Sequence, residues 1–168
     1  MLGHSLHPML VVFPLGLFPA TVICDLLRLA LRNPLFGIVA FWMLTFGIAG
    51  ALAAAVPGFI DWLSIPEGTR AKRIGLRHML VQITGLGFFV MSWWARIGLP
   101  LTHWAPLALA LIGLSIILVG AWLGGELVQQ HGIGVRREAG VNAPNSLSAD
   151  HAAKTSKPVR GPTEPSPV

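Results

Sequence analysis

The sequence predicts an all-α integral membrane protein: a four-helix bundle, threaded up-down-up-down, with a disordered C-terminal tail. Four apolar stretches fill the chain from residue 9 to about residue 128. Each can span, the shorter ones with help from flanking turns, because a bilayer core roughly 30 Å thick needs about 20 apolar residues in a helix. Composition agrees, since 54% of the 168 residues are hydrophobic and only 11% are charged. These values fit one domain whose core forms in lipid.

The four spans are predicted in order at about residues 8–31, 35–60, 76–97 and 104–129. Pro8 suits the first turn of a helix because it has no N–H to leave unsatisfied, whereas Pro14 and Pro19 are expected to kink the first span. The longest loop runs from Asp61 to about Arg77. Residues 1–137 form the predicted transmembrane domain. Residues 138–168 are too poor in apolar side chains to fold and form the predicted cytoplasmic tail.

Small residues recur at spacings of three, four or seven in the second and fourth spans. They are Gly47, Gly50, Ala51, Ala54 and Gly58, followed by Gly113, Gly120 and Gly124. Such stripes let helices approach closely in lipid, where association depends on van der Waals contact. Helix packing is one interpretation. The other is a slot for a flat cofactor, and the stripes alone do not decide between them.

The distribution of basic residues predicts the orientation. Nine Lys and Arg residues lie on the side that holds both termini and the loop between the second and third spans, and three lie on the opposite side. Both termini are therefore expected to be cytoplasmic, in a bacterial inner membrane. The net charge of +5 is interpreted in the same way, as a topology signal in short loops and not as a nucleic-acid surface.

Ionisable side chains gather at the predicted cytoplasmic ends of all four helices. They are His7, Asp61, His78, Glu126 and His131. Each has an ordinary explanation by itself, but their convergence at one membrane depth indicates a site. Asp25 lies near the other end with Arg28 three residues later, a spacing that favours a local ion pair. No catalytic residues are identified.

Five segments carry a resemblance to a known family. They are HPMLVVFPLG (residues 7–16), Asp25, GFIDW (58–62), RHMLVQ (77–82) and GGELVQQHGIGV (124–135). Over about residues 4–137 the chain resembles the bacterial membrane-protein family called domain of unknown function 2231. The resemblance implies a four-helix membrane domain, joined in some relatives to Rieske iron–sulfur or cytochrome-type domains, and so points toward electron transfer. This chain has no cysteine–histidine cluster for iron and sulfur and no C-x-x-C-H for covalent haem.

The first hypothesis for the site is a b-type haem held by His7 and His78, since each begins a helix and lies at matching depth. Asp61 and Glu126 are candidate hydrogen-bond acceptors for the imidazoles, and Arg77 is a candidate partner for a haem propionate. In this hypothesis Gly85 and Gly124 leave room for the macrocycle.

The sequence is also compatible with two alternatives to a haem site. One is a divalent transition-metal site formed by His7, His78 and His131 with Glu126 or Asp61, although no pair has the spacing of the familiar helical metal motifs. The other needs no cofactor: the polar cluster ties the helix ends of a membrane subunit together through mutual hydrogen bonds. The expected partners are the lipid bilayer and, from the association in relatives, a redox protein such as a Rieske or cytochrome protein.

Overall fold

The computed structural model describes residues 6–100, 103–135 and 139–143. The described helices are α1 (Leu6–Leu10), α2 (Val12–Leu31), α3 (Leu35–Leu63), α4 (Arg70–Gly98) and α5 (Ala105–Gln129). The compact unit that carries them is His4–Gly134, and a second unit comprises Met1–Gly3 with Val135–Val168. In the second unit the described residues 139–143 form a turn. The rest of the predicted tail lies outside the described residues.

The first span contains both α1 and α2, which meet at Val11. Proline at position 14 offers no N–H to the carbonyl of Leu10, so the regular pattern is interrupted one turn before the ring. Backbone bonds from Val11 N to His7 O (3.0 Å) and from Leu15 N to Val11 O (3.1 Å) carry the chain across the interruption. Pro19 lies inside α2 without dividing it.

The loop between α3 and α4 is shorter than the sequence predicts. Helix α3 continues to Leu63 and α4 begins at Arg70, so the loop covers only residues 64–69. Thr69 caps α4 by accepting a hydrogen bond from Lys72 N (3.1 Å). The apolar pattern predicts the lipid-buried part of each helix, but it does not predict the helical turns at the end of α3 and the start of α4, which extend beyond the apolar stretches.

Trp62 and Lys72 hold this short loop closed. The indole Nε1 donates to Lys72 O (3.1 Å), and the ammonium Nζ donates to Trp62 O (3.0 Å) and Ile65 O (3.2 Å). The same ammonium lies 4.1 Å from the centroid of the indole ring and 3.1 Å from Glu67 Oε1. Lys72 is therefore buried with its ammonium contacting two carbonyls, an aromatic ring and a carboxylate.

All four predicted spans are long and apolar enough to cross a membrane. Their apolar residues face outward: in the most apolar window of each span only 28% (first) or 22% (others) is buried inside the bundle. Trp94, Trp104 and Trp122 are each about 70% exposed. An apolar exterior of this extent requires lipid as its solvent, so the prediction of an all-α four-helix membrane bundle is confirmed.

The bundle is built from two helical hairpins, α1 and α2 with α3, and α4 with α5. Between the hairpins, α3 packs on α4 and α2 packs on α5, while α2 and α4 meet only through side chains. Phe18 and Phe89 are fully buried and stack with ring centroids 3.9 Å apart. They form the centre of a core that includes Leu44, Leu107 and Ala110.

The glycines in the spans serve helix packing. A Cβ at Gly47 would lie 2.7 Å from Phe18 Cε1, and one at Gly113 would lie 3.1 Å from both Gly85 O and Phe89 Cδ2. A Cβ at Gly85 would lie 2.6 Å from Ile117 Cγ1. The expectation that Gly85 leaves room for a macrocycle was wrong, because the opposite helix already fills that space.

Candidate functional site

The two hairpins repeat one pattern of contacts. Equivalent residues are 71 positions apart in the first helix of each hairpin and 66 apart in the second. The equivalent pairs are His7 and His78, Phe18 and Phe89, Thr21 and Ser92, Asp25 and Arg96, Gly47 and Gly113, Ala54 and Gly120, and Gly58 and Gly124. The contacts of α3 with α4 and of α2 with α5 exchange under the same equivalence. The hairpins are thus related by an approximate two-fold axis that runs along the bundle.

Three pairs of equivalent residues meet across this axis. His7 approaches His78 at one end, the two phenylalanines stack in the middle, and Asp25 pairs with Arg96 at the other end. Both first helices begin at the same end of the bundle, so matching residues arrive at matching depth. The repeat therefore creates two polar sites, one at each end of an aromatic core.

The histidine pair has a defined arrangement. The imidazole centroids of His7 and His78 lie 6.5 Å apart with the ring planes at 90°. His7 Nδ1 donates to Ala54 O (2.8 Å), and His78 Nδ1 donates to Gly120 O (2.7 Å). A carbonyl oxygen only accepts, so Nδ1 carries the proton in each ring and Nε2 of the neutral imidazole keeps its lone pair. In the part of the chain that the structure describes, neither Nε2 has a hydrogen-bond partner.

Glycines one turn beyond the carbonyls let the imidazoles approach. A Cβ at Gly58 would lie 2.7 Å from His7 Nδ1, and one at Gly124 would lie 3.0 Å from His78 Cε1. Without side chains there, the rings reach the backbone of the opposite helix. The expectation that Gly124 leaves room for a macrocycle was also wrong, because the imidazole of His78 occupies that space.

The carboxylates expected beside the imidazoles do not accept the hydrogen bonds of their Nδ1–H groups. The sequence suggested Asp61 and Glu126 as acceptors, but backbone carbonyls of small residues accept both Nδ1–H bonds. Asp61 lies in the last turn of α3, half-buried, where its own carbonyl accepts from Ser64 Oγ (2.6 Å). The carbonyls of Ala54 and Gly120 lie on buried helix backbone that is already fixed, so accepting the Nδ1–H requires no ordering of a side chain.

Arg77 and His131 lie apart from the two imidazoles. Arg77 is exposed one residue before His78, and no ion pair joins it to another described residue. His131 lines a cleft with Glu126 and Arg70, and its Nε2 is enclosed without a partner among the described residues. That cleft is not lined by either of the paired histidines.

His7, His78 and His131 do not form one cluster in the part of the chain that the structure describes. Among residues 6–100, 103–135 and 139–143, no group of three or more His, Cys, Asp or Glu side chains lies close enough to hold a metal ion. Of the candidate residues, the described structure brings His7 and His78 together. The remaining candidates, Asp61, Glu126 and His131, share the same end of the bundle without joining that pair.

Asp25 forms a buried ion pair with Arg96 at the opposite end. Arg96 Nη1 and Nη2 donate to the two carboxylate oxygens at 2.8 Å and 2.6 Å, and the two side chains are 2% and 7% exposed. The expected partner Arg28 is also close, with its Nε 4.0 Å from Asp25 Oδ1. The three-residue spacing thus predicted the weaker contact with Arg28. The bidentate partner, Arg96, comes from the other hairpin.

The repeat is the signal that finds the missed partner. Aligning His7 with His78 places Asp25 opposite Arg96 and Thr21 opposite Ser92, both hydroxyl residues being fully buried. Sequence periodicity within single helices does not reveal this, since the matching residues lie 71 positions apart. Aligning the sequence with itself at an offset of 71 residues would have revealed both pairs, His7 with His78 and Asp25 with Arg96.

Comparison with known proteins identifies one family. A family model described as "Predicted membrane protein (DUF2231)" matches residues 3–137. No curated protein and no solved structure is similar enough to count as a match.

Proposed function

The chain belongs to the DUF2231 family of predicted membrane proteins, and we propose that it is a membrane electron-transfer subunit whose His7 and His78 bind a b-type haem. One observation carries the proposal: two imidazoles face each other across the axis with both Nδ1 atoms engaged and both Nε2 atoms without a described partner. Fixing Nδ1 on a carbonyl is the usual way in which a protein presents Nε2 to a metal.

The spacing of the rings supports a shared iron. A metal held by both Nε2 atoms would place the imidazole centroids about 6 Å apart, since each metal–nitrogen bond is about 2 Å long. The observed separation is 6.5 Å. The backbones of α1 and α4 do not touch, so the two histidines approach from helices that stay apart.

The number of ligands favours haem over a bare ion. A structural zinc ion takes four ligands, typically all from protein, and no third His, Cys, Asp or Glu joins His7 and His78 among the described residues. Haem iron receives four nitrogens from its own macrocycle and needs only two axial ligands. When bound, a haem would supply one-electron chemistry; His7 and His78 would hold it, and their Nδ1–carbonyl bonds would influence its potential. Exposed Arg77 would pair with a propionate.

A second candidate is a cofactor-free subunit in which the histidines act only as braces. The hydrogen bonds to Ala54 O and Gly120 O each join the two helices of one hairpin. This observation alone favours the brace. Rings 6.5 Å apart at 90° also fit a plain edge contact between two aromatic groups. The two candidate functions differ in one respect: haem binding requires the Nε2 atoms of His7 and His78, and the brace requires only their Nδ1 atoms.

Asparagine substitutions separate the candidates. His7→Asn and His78→Asn retain an N–H donor at the position of Nδ1 and remove Nε2, whereas the alanine variants remove both. The measurement is the visible spectrum of detergent-purified protein expressed with ample haem, before and after dithionite. The proposal expects a wild-type Soret band with sharp alpha and beta bands, and their loss in all four variants. His103→Asn, at the other end of the bundle, should keep the spectrum.

The brace predicts the opposite pattern. Wild-type protein would be colourless, each alanine variant would lose about 1 to 3 kcal/mol of stability, and each asparagine variant would stay near the wild type. A spectrum that survives both asparagine substitutions would also refute the haem proposal. Metal analysis of the same samples distinguishes a bare ion, which would be present without a Soret band.

Localisation and partners follow from the same proposal. The excess of basic residues beside α3, α4 and the C-terminal segment supports a bacterial inner membrane with both termini cytoplasmic. The histidine pair would then lie near the cytoplasmic face. Electrons would pass to or from a redox protein such as a Rieske or cytochrome protein, the association implied by the family resemblance.

A further inference from the structure

A cleft of mixed charge lies beside the last turns of α5, at the end of the bundle that carries the histidine pair. Its volume is about 560 Å³, within the range of about 300 to 1,000 Å³ that is typical of small-molecule sites. Arg70, at the start of α4, lines one part of it. The end of α5 and the turn that follows line the rest, chiefly through Trp122, Glu126, Gln129, Gln130 and His131. The cleft is therefore large enough for a small organic group and presents both signs of charge.

The two charged side chains in the cleft are available to a ligand. Arg70 is exposed and Glu126 is half-buried, and no ion pair joins either of them to another residue in the described part of the chain. A half-buried carboxylate loses part of its hydration, and a bound cation or hydrogen-bond donor offsets that loss. A ligand that carries one cationic and one anionic group would pair with both side chains.

A second observation points to a ligand. The Nε2 atom of His131 is buried and has no hydrogen-bond partner among the described residues, and His131 lines the cleft. Buried polar atoms rarely stay unsatisfied, and an atom of this kind commonly marks the position of a water, an ion or a ligand group. In one tautomer Nε2 donates to a phosphate oxygen, and in the other it accepts from an ammonium group.

The cleft lies where α5 leaves its apolar span. Trp122 is 69% exposed and precedes Glu126 by four residues, so the two side chains share one face of the helix. Exposed Gln129 continues this face toward the end of α5. Tryptophan is enriched at the membrane–water interface, which is the depth of lipid headgroups. A molecule in the cleft therefore meets lipid on one side and water on the other.

We propose that this cleft binds the headgroup of phosphatidylethanolamine, a lipid that carries one phosphate and one primary ammonium group. Arg70 pairs with the phosphate, and Glu126 accepts hydrogen bonds from the ammonium. A purely anionic headgroup is repelled by Glu126, and a choline headgroup has no N–H to donate to it. The inference does not depend on the proposed haem, because neither His7 nor His78 lines the cleft.

Thermal unfolding with added lipid tests the proposal. Detergent-purified full-length protein is titrated with phosphatidylethanolamine, phosphatidylcholine or phosphatidylglycerol that carry the same acyl chains. At about ten times its Kd, a lipid that binds only the folded state should raise the midpoint by about 4 °C. The Kd of phosphatidylethanolamine should be about tenfold lower than that of phosphatidylcholine, because only the primary ammonium donates charge-assisted hydrogen bonds to Glu126.

Two variants and one control locate the binding site. Glu126→Gln removes the charge that selects the ammonium and should equalise the Kd values of phosphatidylethanolamine and phosphatidylcholine. Arg70→Gln removes the partner of the phosphate and should weaken the binding of both lipids by about tenfold. Arg73→Gln, an exposed arginine on α4 that does not line the cleft, should retain the wild-type affinity and selectivity.

Any of three results would overturn the proposal. One is wild-type protein that binds phosphatidylethanolamine no better than the other two lipids, and another is selectivity that persists unchanged in Glu126→Gln. The third is water-soluble glycerophosphoethanolamine that binds as tightly as the lipid, which would assign the cleft to a soluble ligand. If Glu126→Gln does not fold, the exposed Arg70→Gln decides the matter. Weaker binding of phosphatidylethanolamine by that variant supports the proposal, and unchanged binding refutes it.

Discussion

Removing the Asp25 carboxylate should be among the most destabilising single changes in this protein. The carboxylate accepts two short bonds from Arg96, at 2.6 and 2.8 Å, and both side chains are almost fully buried. Asp25→Ala leaves the buried guanidinium of Arg96 without its bidentate carboxylate partner. Breaking a buried pair by deleting one partner costs about 3 to 5 kcal/mol, because the remaining charge stays desolvated.

A double-mutant cycle isolates the pair from the rest of the core. Asp25→Ala, Arg96→Ala and the double variant are unfolded in detergent micelles, and the three losses of free energy are compared. The double variant removes one charge of each sign, so the buried net charge returns to the wild-type value. Its loss should therefore be smaller than the sum of the single losses, by at least about 2 kcal/mol. Losses that add to within about 0.5 kcal/mol would show that the two groups do not interact and would refute this account of the pair.

Two further predictions test the packing and the topology. Gly47→Ala should lower the free energy of unfolding by about 1 to 3 kcal/mol, because its Cβ would lie 2.7 Å from Phe18 Cε1. Gly87→Ala meets nothing within 4 Å and should stay within about 0.5 kcal/mol of wild type. Equal thermal midpoints of the two variants in detergent would contradict this prediction. Reporter fusions after Pro34 should be periplasmic and those after Glu67 cytoplasmic, and the reverse pattern would contradict the predicted orientation.

The sequence predicts the spans well because each depends on local composition. Twenty apolar residues in a row require a membrane helix whatever the rest of the chain does. Helix ends are less well predicted, since Asp61 ends the apolar run of α3 and the first turns of α4 from Arg70 are rich in charged residues, so the sequence assigns both to the loop. Their helical state depends on Trp62 and Lys72, whose contact joins residues on two different helices.

Of the candidate site residues, the sequence anticipated the meeting of His7 and His78 and did not anticipate the contacts they make. Up-down threading brings His7 and His78 to one end, and the structure places them together. The partners of their Nδ1 atoms are backbone carbonyls, which no side-chain pattern identifies. Asp25 and Arg96 are 71 residues apart, so only the repeat or the fold itself connects them.

The asymmetry of the Asp25–Arg96 pair also limits which hairpins can associate. Positions 25 and 96 are equivalent in the two repeats, and the histidine and phenylalanine pairs on the same axis are identical residues. Those identical pairs would allow a hairpin to associate with a copy of itself. Such an association would bring two aspartates, or two arginines, into contact at a buried position, where like charges repel. The ion pair therefore selects the first hairpin as the partner of the second and opposes exchange of hairpins between neighbouring chains in a crowded membrane.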